Sequence, residues 1–442
     1  MGSDGNAKQE IGLWTSTSLV IGNMIGAGVF LLPAALAGFG GISLLGWILA
    51  SAGALLLAKI FSHLSRLYPA DAGGPYAYSR RGFGDFAGFL VAWGYLISVL
   101  ATNATLAVSF VGAMSTFFPA LATSSVLAVL TGLSTIWFLT WINTLGIRES
   151  GRVQVVTTLL KLIPLVLVAV WGLFYVKIEN FVPFNSSGGS NMSAITATMT
   201  LTFFAFLGLE CATIPAGNVR NPAKTIPLAT MMGVIIATVV FILGTVSVMG
   251  IIPQGQLRQS VTPFADAAVR IWGPWASYGV AAGVAMASFG ALNGWILIQG
   301  QIPFAVARDK LFPAIFAKVN RKGTPVTGIV ISSVLVSGLM LMNYTKGLVE
   351  QFKFLILLTT FTCLIPYIFC AGAYLIALVE QNKLKAGGWL KPVALGTLAF
   401  VFALWAIYGS GEQVVFLGML MMLVAIPVYV WMQWKRKQDS KS

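Results

Sequence analysis

Apolar runs of about 20 residues, separated by short polar stretches, follow one another along almost the whole chain. Because a helix needs about 20 apolar residues to cross a bilayer, the pattern predicts an all-α polytopic membrane protein with about twelve transmembrane helices. The predicted spans are 12–36, 41–66, 84–115, 124–146, 153–177, 192–217, 227–251, 275–305, 326–343, 352–378, 390–409 and 413–434. No long polar linker interrupts them, so residues 1–442 form one membrane domain in this interpretation.

Composition and charge place the chain in a lipid bilayer. Hydrophobic residues make up 57% and charged residues only 9% of the chain, whereas about 25% of a typical soluble domain is charged. The net charge of +14 does not indicate nucleic acid, because Lys and Arg lie in short gaps between apolar runs. They concentrate in alternate gaps and in the tail 435–442, which predicts a plasma or inner membrane protein with both termini cytoplasmic. The tail 1–11 lacks the features of a cleaved signal peptide.

Two of the predicted spans contain helix-breaking sequences at mid-membrane depth. The first span contains GNMIGAG at 22–28, and the sixth contains FLGLE at 206–210, followed by Pro215. Unwound backbone in a membrane is tolerated where it lines a cavity, so free N–H and C=O groups there could bind a carboxylate and an ammonium group. The alternative for the first span is a helix-packing face, since Gly22 and Gly26 form a GxxxG pair.

The two breaks are five spans apart. This spacing is expected if two groups of five helices form an inverted repeat, in which interrupted helices mark the substrate site of a transporter. The predicted units are a first repeat at 12–177, a second repeat at 192–378 and two trailing helices at 390–434.

Two ionisable residues lie inside predicted spans. Lys161 is in the middle of span 5 and Glu210 is at the break of span 6. A charged residue at the bilayer centre costs at least about 2.5–3.5 kcal/mol, so a functional role is the first hypothesis for each. The alternatives are a lysine that snorkels to the interface and a glutamate that only binds neighbouring backbone.

The remaining reactive residues argue against other classes of protein. His63 is the single histidine, which leaves a histidine metal site or a Ser/His/Asp triad without enough members. Cys211, Cys363 and Cys370 lie in apolar runs, as small buried hydrophobic residues do. The sequence lacks HExxH and GxSxG motifs of enzymes and the repeated pore motif of a channel. We therefore expect neither an enzyme nor a channel.

At these motifs the chain resembles the amino acid/polyamine/organocation superfamily, and within it the basic amino acid and polyamine antiporters. The resemblance covers nearly the whole chain, and it rests on the order and spacing of several motifs. These are GNMIGAGVFLLP at 22–33, GGPYAYSRR at 73–81, FLGLE at 206–210, NPAK at 221–224, GW at 294–295 and IPY at 365–367.

The resemblance implies two inverted five-helix repeats plus two helices, and an exchanger of a small amino acid or amine that is often a homodimer and needs no cofactor. It also implies site residues. Those expected at the substrate are Met24, Ala27, Gly28, Ser98, Asn103, Phe204, Leu207, Trp295, Thr359 and Cys363, and those expected in gating or coupling are Tyr76, Tyr95, Lys161, Glu210 and Tyr367.

Specific roles follow from the same resemblance. N–H groups near Ala27 and Gly28 would bind the substrate carboxylate, and carbonyl groups of Met24, Phe204 and Leu207 its amino group. The rings of Phe204 and Trp295 would act as aromatic gates. Selectivity for the substrate side chain would come from Ser98, Asn103, Thr359 and Cys363.

The resemblance implies roles for the two charged residues too, for Glu210 from the arginine and polyamine exchangers and for Lys161 from proton-coupled and neutral amino-acid members of the superfamily. Glu210 would sense protonation or meet a cationic substrate near Tyr76. The Lys161 ammonium would replace a sodium ion and bridge span 1 to span 8.

Three positions depart from the arginine exchangers. Ala27 and Phe204 replace a serine and a tryptophan, and Lys161 replaces an apolar residue. The leading hypothesis is therefore an exchanger of a cationic amino acid or its amine, and the alternative is a sodium-independent transporter of small neutral amino acids, by proton coupling or by exchange.

Overall fold

The computed structural model describes residues 11–26, 28–69, 71–260, 262–343, 348–381 and 389–439. Within these ranges the backbone is almost entirely helical, and its one extended pairing is an isolated bridge between Ile11 and Val219. The α-helices are α1 (Leu13–Met24), α2 (Gly28–Ala37), α3 (Ser43–Leu67), α4 (Pro75–Met114), α5 (Ala120–Thr123), α6 (Ser125–Thr144), α7 (Ile147–Gly172), α8 (Asn191–Phe203), α9 (Pro222–Ile251), α10 (Gln254–Leu257), α11 (Pro263–Trp272), α12 (Ala276–Arg308), α13 (Val326–Asn343), α14 (Leu348–Glu380), α15 (Leu390–Tyr408), α16 (Glu412–Leu423) and α17 (Ala425–Asp439).

The predicted transmembrane helices are present. Eleven helical stretches in the described residues are long and apolar enough to cross a membrane, and a shorter apolar helix covers Val326–Leu341. Together they occupy the positions of all twelve predicted spans. Large apolar side chains such as Leu130, Leu159, Val239 and Val401 are about half exposed on the outside of the bundle, as expected of a surface that faces lipid. The protein is therefore a multi-pass, all-α membrane protein.

The first span is broken where its sequence predicts a break. Helix α1 ends at Met24, the following residue Ile25 has non-helical dihedral angles (φ −83°, ψ 80°), and α2 begins at Gly28. Ala27 lies outside the described residues. Because the last carbonyl groups of one helix and the first N–H groups of the next have no intrahelical partners, the break presents free backbone groups inside the bundle.

The sixth span is broken in a different way. Helix α8 ends at Phe203 and a 3₁₀ turn, Phe204–Phe206, follows it. Gly208 has φ +106°, and a Cβ atom there would lie 3.0 Å from the Cβ atom of Asn23 in α1. A residue without a side chain is thus needed both for the backbone angle and for the close approach of the two breaks. Beyond it the chain continues as 3₁₀ turns, Cys211–Thr213 and Ala216–Asn218.

The third span begins after a kink. Helix α4 contains Gly84 with φ +84°, which divides a short segment at 75–83 from the long helix that follows. The long helix starts where the sequence predicts span 3 to start. Helix α11 was not predicted, because its ten residues are too short to give a transmembrane signal.

The breaks of spans 1 and 6 lie in the interior of the bundle, between long helices. Helix α4 packs against α12 and α14, α3 packs against α8 and α9, and α1 packs against α7, α9 and α12. As a result, the break of span 1 faces the 3₁₀ turn of span 6 on one side and the middle of α12 on the other.

Candidate functional site

A small cavity lies where the two broken spans meet. Its volume is about 40 Å³, which leaves room for roughly three water molecules, so an amino acid would fit only after surrounding side chains move. The described residues that line it are Asn23, Met24, Gly26, Gly28, Val29, Thr102, Thr105, Leu106, Ser109, Phe204, Leu207, Trp295, Ile356 and Thr359.

Six residues that the sequence resemblance assigns to the substrate line this cavity: Met24, Gly28, Phe204, Leu207, Trp295 and Thr359. The backbone near the breaks is partly satisfied already. The carbonyl group of Met24 accepts a hydrogen bond from the N–H of Gly26 at 3.0 Å, and that of Phe204 accepts from the N–H of Leu207 at 3.2 Å. Each carbonyl oxygen has a second lone pair, so both can still accept from an ammonium group.

Two aromatic rings close against the break of span 1. A Cβ atom on Gly28 would lie 2.5 Å from the ring of Phe204, so this ring packs directly on the start of α2. The indole N–H of Trp295 donates to the carbonyl group of Asn23 at 3.4 Å, and the Tyr95 ring lies edge-on to it at 6.5 Å. The two predicted gates therefore both line one cavity.

Selectivity residues predicted outside the breaks divide into two groups. Thr359 lines the cavity. Ser98, Asn103 and Cys363 are buried, and they are not among the described residues that line it. The amide nitrogen of Asn103 donates to Gln299 on α12 at 2.8 Å. In this conformation Asn103 therefore joins α4 to α12.

The sequence analysis missed one wall of the cavity. Thr102, Thr105, Leu106 and Ser109 follow the spacing i, i+3, i+4, i+7, which places them on one face of α4. The hydroxyl groups of Thr102, Thr105 and Ser109 recur at helical spacing inside an apolar span. This pattern could have predicted a polar face of α4 that lines a cavity.

Glu210 is the centre of a buried hydrogen-bond cluster beside the cavity. Its side chain is fully buried, and its two carboxyl oxygens accept from the hydroxyl groups of Tyr95 on α4 and Tyr367 on α14. Next to it, the amide of Asn23 donates to the sulfur of Cys211 at 3.0 Å. The carboxyl group thus connects the break of span 6 to two long helices.

Tyr76 forms a hydrogen bond with an aspartate at the end of α12. Its hydroxyl group donates to Asp309 at 2.7 Å, and Asp309 also pairs with Arg80 at 2.8 Å. The expected position of Tyr76 near Glu210 stays a prediction.

Lys161 is fully buried and its ammonium group binds backbone. It donates to the carbonyl groups of Gly22 at 2.5 Å and Ile25 at 2.7 Å. Gly22 is in the last turn of α1 and Ile25 directly follows the helix, where unpaired C=O groups and the negative end of the helix dipole favour a cation. Both hydrogen bonds found in the described part of the chain go to span 1, and the bridge to span 8 stays a prediction.

Known transporters are similar in sequence to most or all of this chain. Residues 11–432 match the profile of the family described as amino acid permease. The chain is 29% identical to the putrescine transporter PotE of Haemophilus influenzae, over 96% of this chain and 98% of that protein. It is 35% identical to the cadaverine/lysine antiporter of Escherichia coli K12, over 77% and 78% of the two chains. It is 29% identical to the arginine/agmatine antiporter of Chlamydia pneumoniae, over 100% and 94%.

These matches confirm the resemblance that the sequence motifs indicated. The chain belongs to the amino acid permease family of the amino acid/polyamine/organocation superfamily.

Proposed function

We propose that the chain is a secondary transporter that exchanges a cationic amino acid for an amine by alternating access and leaves both chemically unchanged. The observation that carries this proposal is that two helix breaks, after Met24 and after Phe203, meet at one cavity. Broken helices at corresponding places in two repeats are how many secondary transporters build their substrate sites.

The breaks offer complementary groups to an amino acid. The first N–H groups of α2, beginning at Gly28, would bind its carboxylate at the positive end of the helix dipole. The carbonyl groups of Met24, Phe204 and Leu207 would accept from its amino group. The rings of Phe204 and Trp295 would cover the substrate from either side and would separate when it enters or leaves.

The relatives supply the proposed substrate class. They are a putrescine transporter, a cadaverine/lysine antiporter and an arginine/agmatine antiporter, and all of these substrates carry a basic group. A phenyl ring at Phe204 attracts such a cation, and Glu210 supplies a carboxyl group beside the cavity. Glu210 together with Tyr95 and Tyr367 would form a gate that opens when substrate or a proton competes for the carboxyl group.

One observation favours a second candidate, a sodium-independent transporter of small neutral amino acids. The Lys161 ammonium group donates to the carbonyl groups of Gly22 and Ile25. Converging backbone carbonyl groups of this kind could otherwise bind a metal cation. When Lys161 is protonated, its positive charge would also oppose a second basic group on the substrate.

Location and assembly are part of the proposal. The concentration of Lys and Arg in alternate loops supports a cell membrane protein with both termini in the cytoplasm. The family resemblance supports a homodimer, which light scattering of the purified protein in detergent would test.

Exchange in proteoliposomes tests the proposed function. Liposomes are preloaded with lysine, arginine, putrescine, cadaverine, agmatine, alanine or serine, and uptake of each radiolabelled compound is measured with and without sodium. We expect uptake only into liposomes that contain a basic substrate, and no effect of sodium.

Two variants control the assay. Trp295→Ala removes a cavity wall and should abolish exchange, whereas Trp275→Ala removes a lipid-facing ring that is 68% exposed and should not. Uptake into empty liposomes, or uptake that requires sodium, would contradict the proposal. Exchange of alanine and serine alone would select the second candidate.

A further inference from the structure

A buried glutamine on α7 joins the first half of broken span 1 to the helix that carries the Trp295 gate. The side chain of Gln154 is only 1% exposed. Its amide nitrogen donates to the carbonyl group of Ser18 on α1 at 3.3 Å, and its amide oxygen accepts from Asn293 on α12 at 3.1 Å. One side chain therefore links three helices.

Two glycines form a slot for this amide. A Cβ atom on Gly22 would lie 1.8 Å from the amide nitrogen of Gln154. A Cβ atom on Gly294 would lie 1.9 Å from the side-chain oxygen of Asn23 and 3.0 Å from the amide oxygen of Gln154. Since neither glycine could carry a side chain without displacing these groups, the slot fixes Gln154 between α1 and α12.

Gln154 belongs to a polar stripe on α7, but its role in that stripe is distinct. Thr158 and Lys161 follow it at i+4 and i+7, on the same helix face. The hydroxyl group of Thr158 also donates to the carbonyl group of Ser18, at 3.2 Å, and Lys161 binds the carbonyl groups of Gly22 and Ile25 at the break of span 1. Of these three side chains, Gln154 is the one whose hydrogen bonds also reach α12.

The α12 end of the link is held firmly. Asn293 donates to the carbonyl group of Ser150 at 3.0 Å and accepts from Asn143 on α6 at 3.1 Å. The hydroxyl group of Ser150 in turn donates to Asn143 at 2.7 Å. These hydrogen bonds join α6, α7 and α12 to one another. If the hydrogen bond from Gln154 to Ser18 breaks, α1 would therefore move relative to these three helices.

A narrow cleft runs between α1 and these helices, with Gln154 in its wall. Its volume is about 10 Å³, which is at most enough for one water molecule. The cleft is lined by Ile11, which precedes α1, by Thr15 and Leu19 of α1, by Ile147, Ser150, Gly151 and Gln154 of α7, and by Leu297 of α12.

We propose that Gln154 is a positioning residue that latches α1 onto α12, and that opening this latch widens the cleft into a path to the membrane side where residue 11 lies. The proposal rests on the proposed alternating access. It deepens that mechanism by naming the contact that holds one of the two paths shut. Trp295 directly follows the glycine of the slot, so the latch also fixes the helix segment that carries this gate.

Cysteine accessibility in the purified full-length protein tests the latch. Leu19→Cys reports on the cleft and Ser109→Cys on the far part of the cavity, and each is labelled with a maleimide against the unmodified chain, whose three cysteines are buried. Gln154→Leu removes both hydrogen bonds at similar size. Loss of two neutral hydrogen bonds shifts an equilibrium by roughly fivefold or more. We therefore expect labelling at Leu19→Cys to rise by about that factor, while labelling at Ser109→Cys falls.

Two further variants separate the latch from general loosening. Thr158→Val removes a hydrogen bond to the same carbonyl group of Ser18 but leaves the link to α12, so labelling at both reporters should stay within about twofold of the parent. If Gln154→Leu does not fold, Gln154→Glu is used, because it keeps an acceptor for Asn293 and loses the donor to Ser18. It should change labelling in the same directions as leucine.

The outcomes are decisive in both directions. Opposite changes at the two reporters support the latch. Increases at both, no change at either, or equal effects of Thr158→Val and Gln154→Leu would overturn it. Labelling needs no substrate, so a chain that exchanges none of the tested compounds but labels as expected would keep the latch and refute the proposed function.

Discussion

Two fully buried ionisable side chains flank the cavity, and they are held in opposite ways. Lys161 donates to backbone carbonyl groups at the end of α1, that of Gly22 in its last turn and that of Ile25 just after it. Glu210 accepts from two side chains, Tyr95 and Tyr367, on two other helices. The hydrogen bonds of Lys161 therefore depend on where α1 ends, because their acceptors are backbone groups. Those of Glu210 depend on the tyrosine side chains of the neighbouring helices.

This difference separates two tasks. Lys161 stabilises an unwound backbone that would otherwise leave carbonyl groups without donors in a dry interior, which is a condition of having the break at all. Glu210 connects the break of span 6 to α4 and α14 through hydroxyl groups that can change partners. We infer that the lysine maintains the shape of the site, while the glutamate cluster takes part in its opening and closing.

The largest expected effect is that of removing the ammonium group. Lys161→Met leaves two buried carbonyl groups without their donor, and each such group costs about 1–3 kcal/mol. We expect exchange in proteoliposomes to fall by roughly a hundredfold or more, together with a lower melting temperature. Lys177→Met, at an exposed lysine, is the control. Wild-type exchange by the Lys161→Met protein would mean that the break of span 1 does not need this cation.

The next effect should come from neutralising the carboxyl group at constant shape. Glu210→Gln keeps an acceptor for one tyrosine but loses the charge, and we expect exchange to slow by about tenfold, which corresponds to about 1.4 kcal/mol. If Glu210 is the proton-sensitive group, the exchange rate of the parent should change between pH 5 and pH 8 and that of the variant should not.

A surface glutamate provides the control for this change. Glu149→Gln breaks an exposed ion pair with Arg152, and such pairs contribute little, so rate and pH profile should match the parent. Should Glu210→Gln retain both the rate and the pH profile of the parent, the proposed gating role of Glu210 would be wrong.

The sequence predicted the two charges better than it predicted their partners. Lys161 stands out because it interrupts an apolar run, and the break at 22–28 stands out because three glycines lie at mid-depth. The role of Gln154 gave no such signal, since a neutral amide near a helix end is common. Its contacts arise only when Gly22 and Gly294, which are far apart along the chain, pack on either side of it.

Span 6 illustrates the same limit. The sequence predicts a break at 206–210 within a span to 217, but it does not predict that the α-helix already stops at Phe203 or that Gly208 packs against Asn23 of α1. Likewise, Asn103 was expected to contact substrate, and in this conformation its amide donates to Gln299. Periodicity identifies which helix face is polar, whereas the partner of each polar group depends on the packing of distant helices.

The smallest effects, and the sharpest test of the contrast between the two charges, come from the two tyrosines. Tyr95→Phe and Tyr367→Phe each remove one hydroxyl donor and leave Glu210 the other, so each should slow exchange only a few-fold, about 1 kcal/mol. Together they leave the carboxyl group with neither hydroxyl donor, so the double variant should lose more than the sum of the singles, with a coupling of about 0.5–3 kcal/mol.

The coupling is measured as a double-mutant cycle on exchange rates, with Tyr278→Phe at an exposed tyrosine as the control. The same cycle repeated in the Glu210→Gln protein should lose most of its coupling, because the shared charge is gone. Additive effects of Tyr95→Phe and Tyr367→Phe would show that the two hydroxyl groups act separately. In that case Glu210 would stabilise the site as passively as Lys161 does, and the distinction between the two charges would not hold.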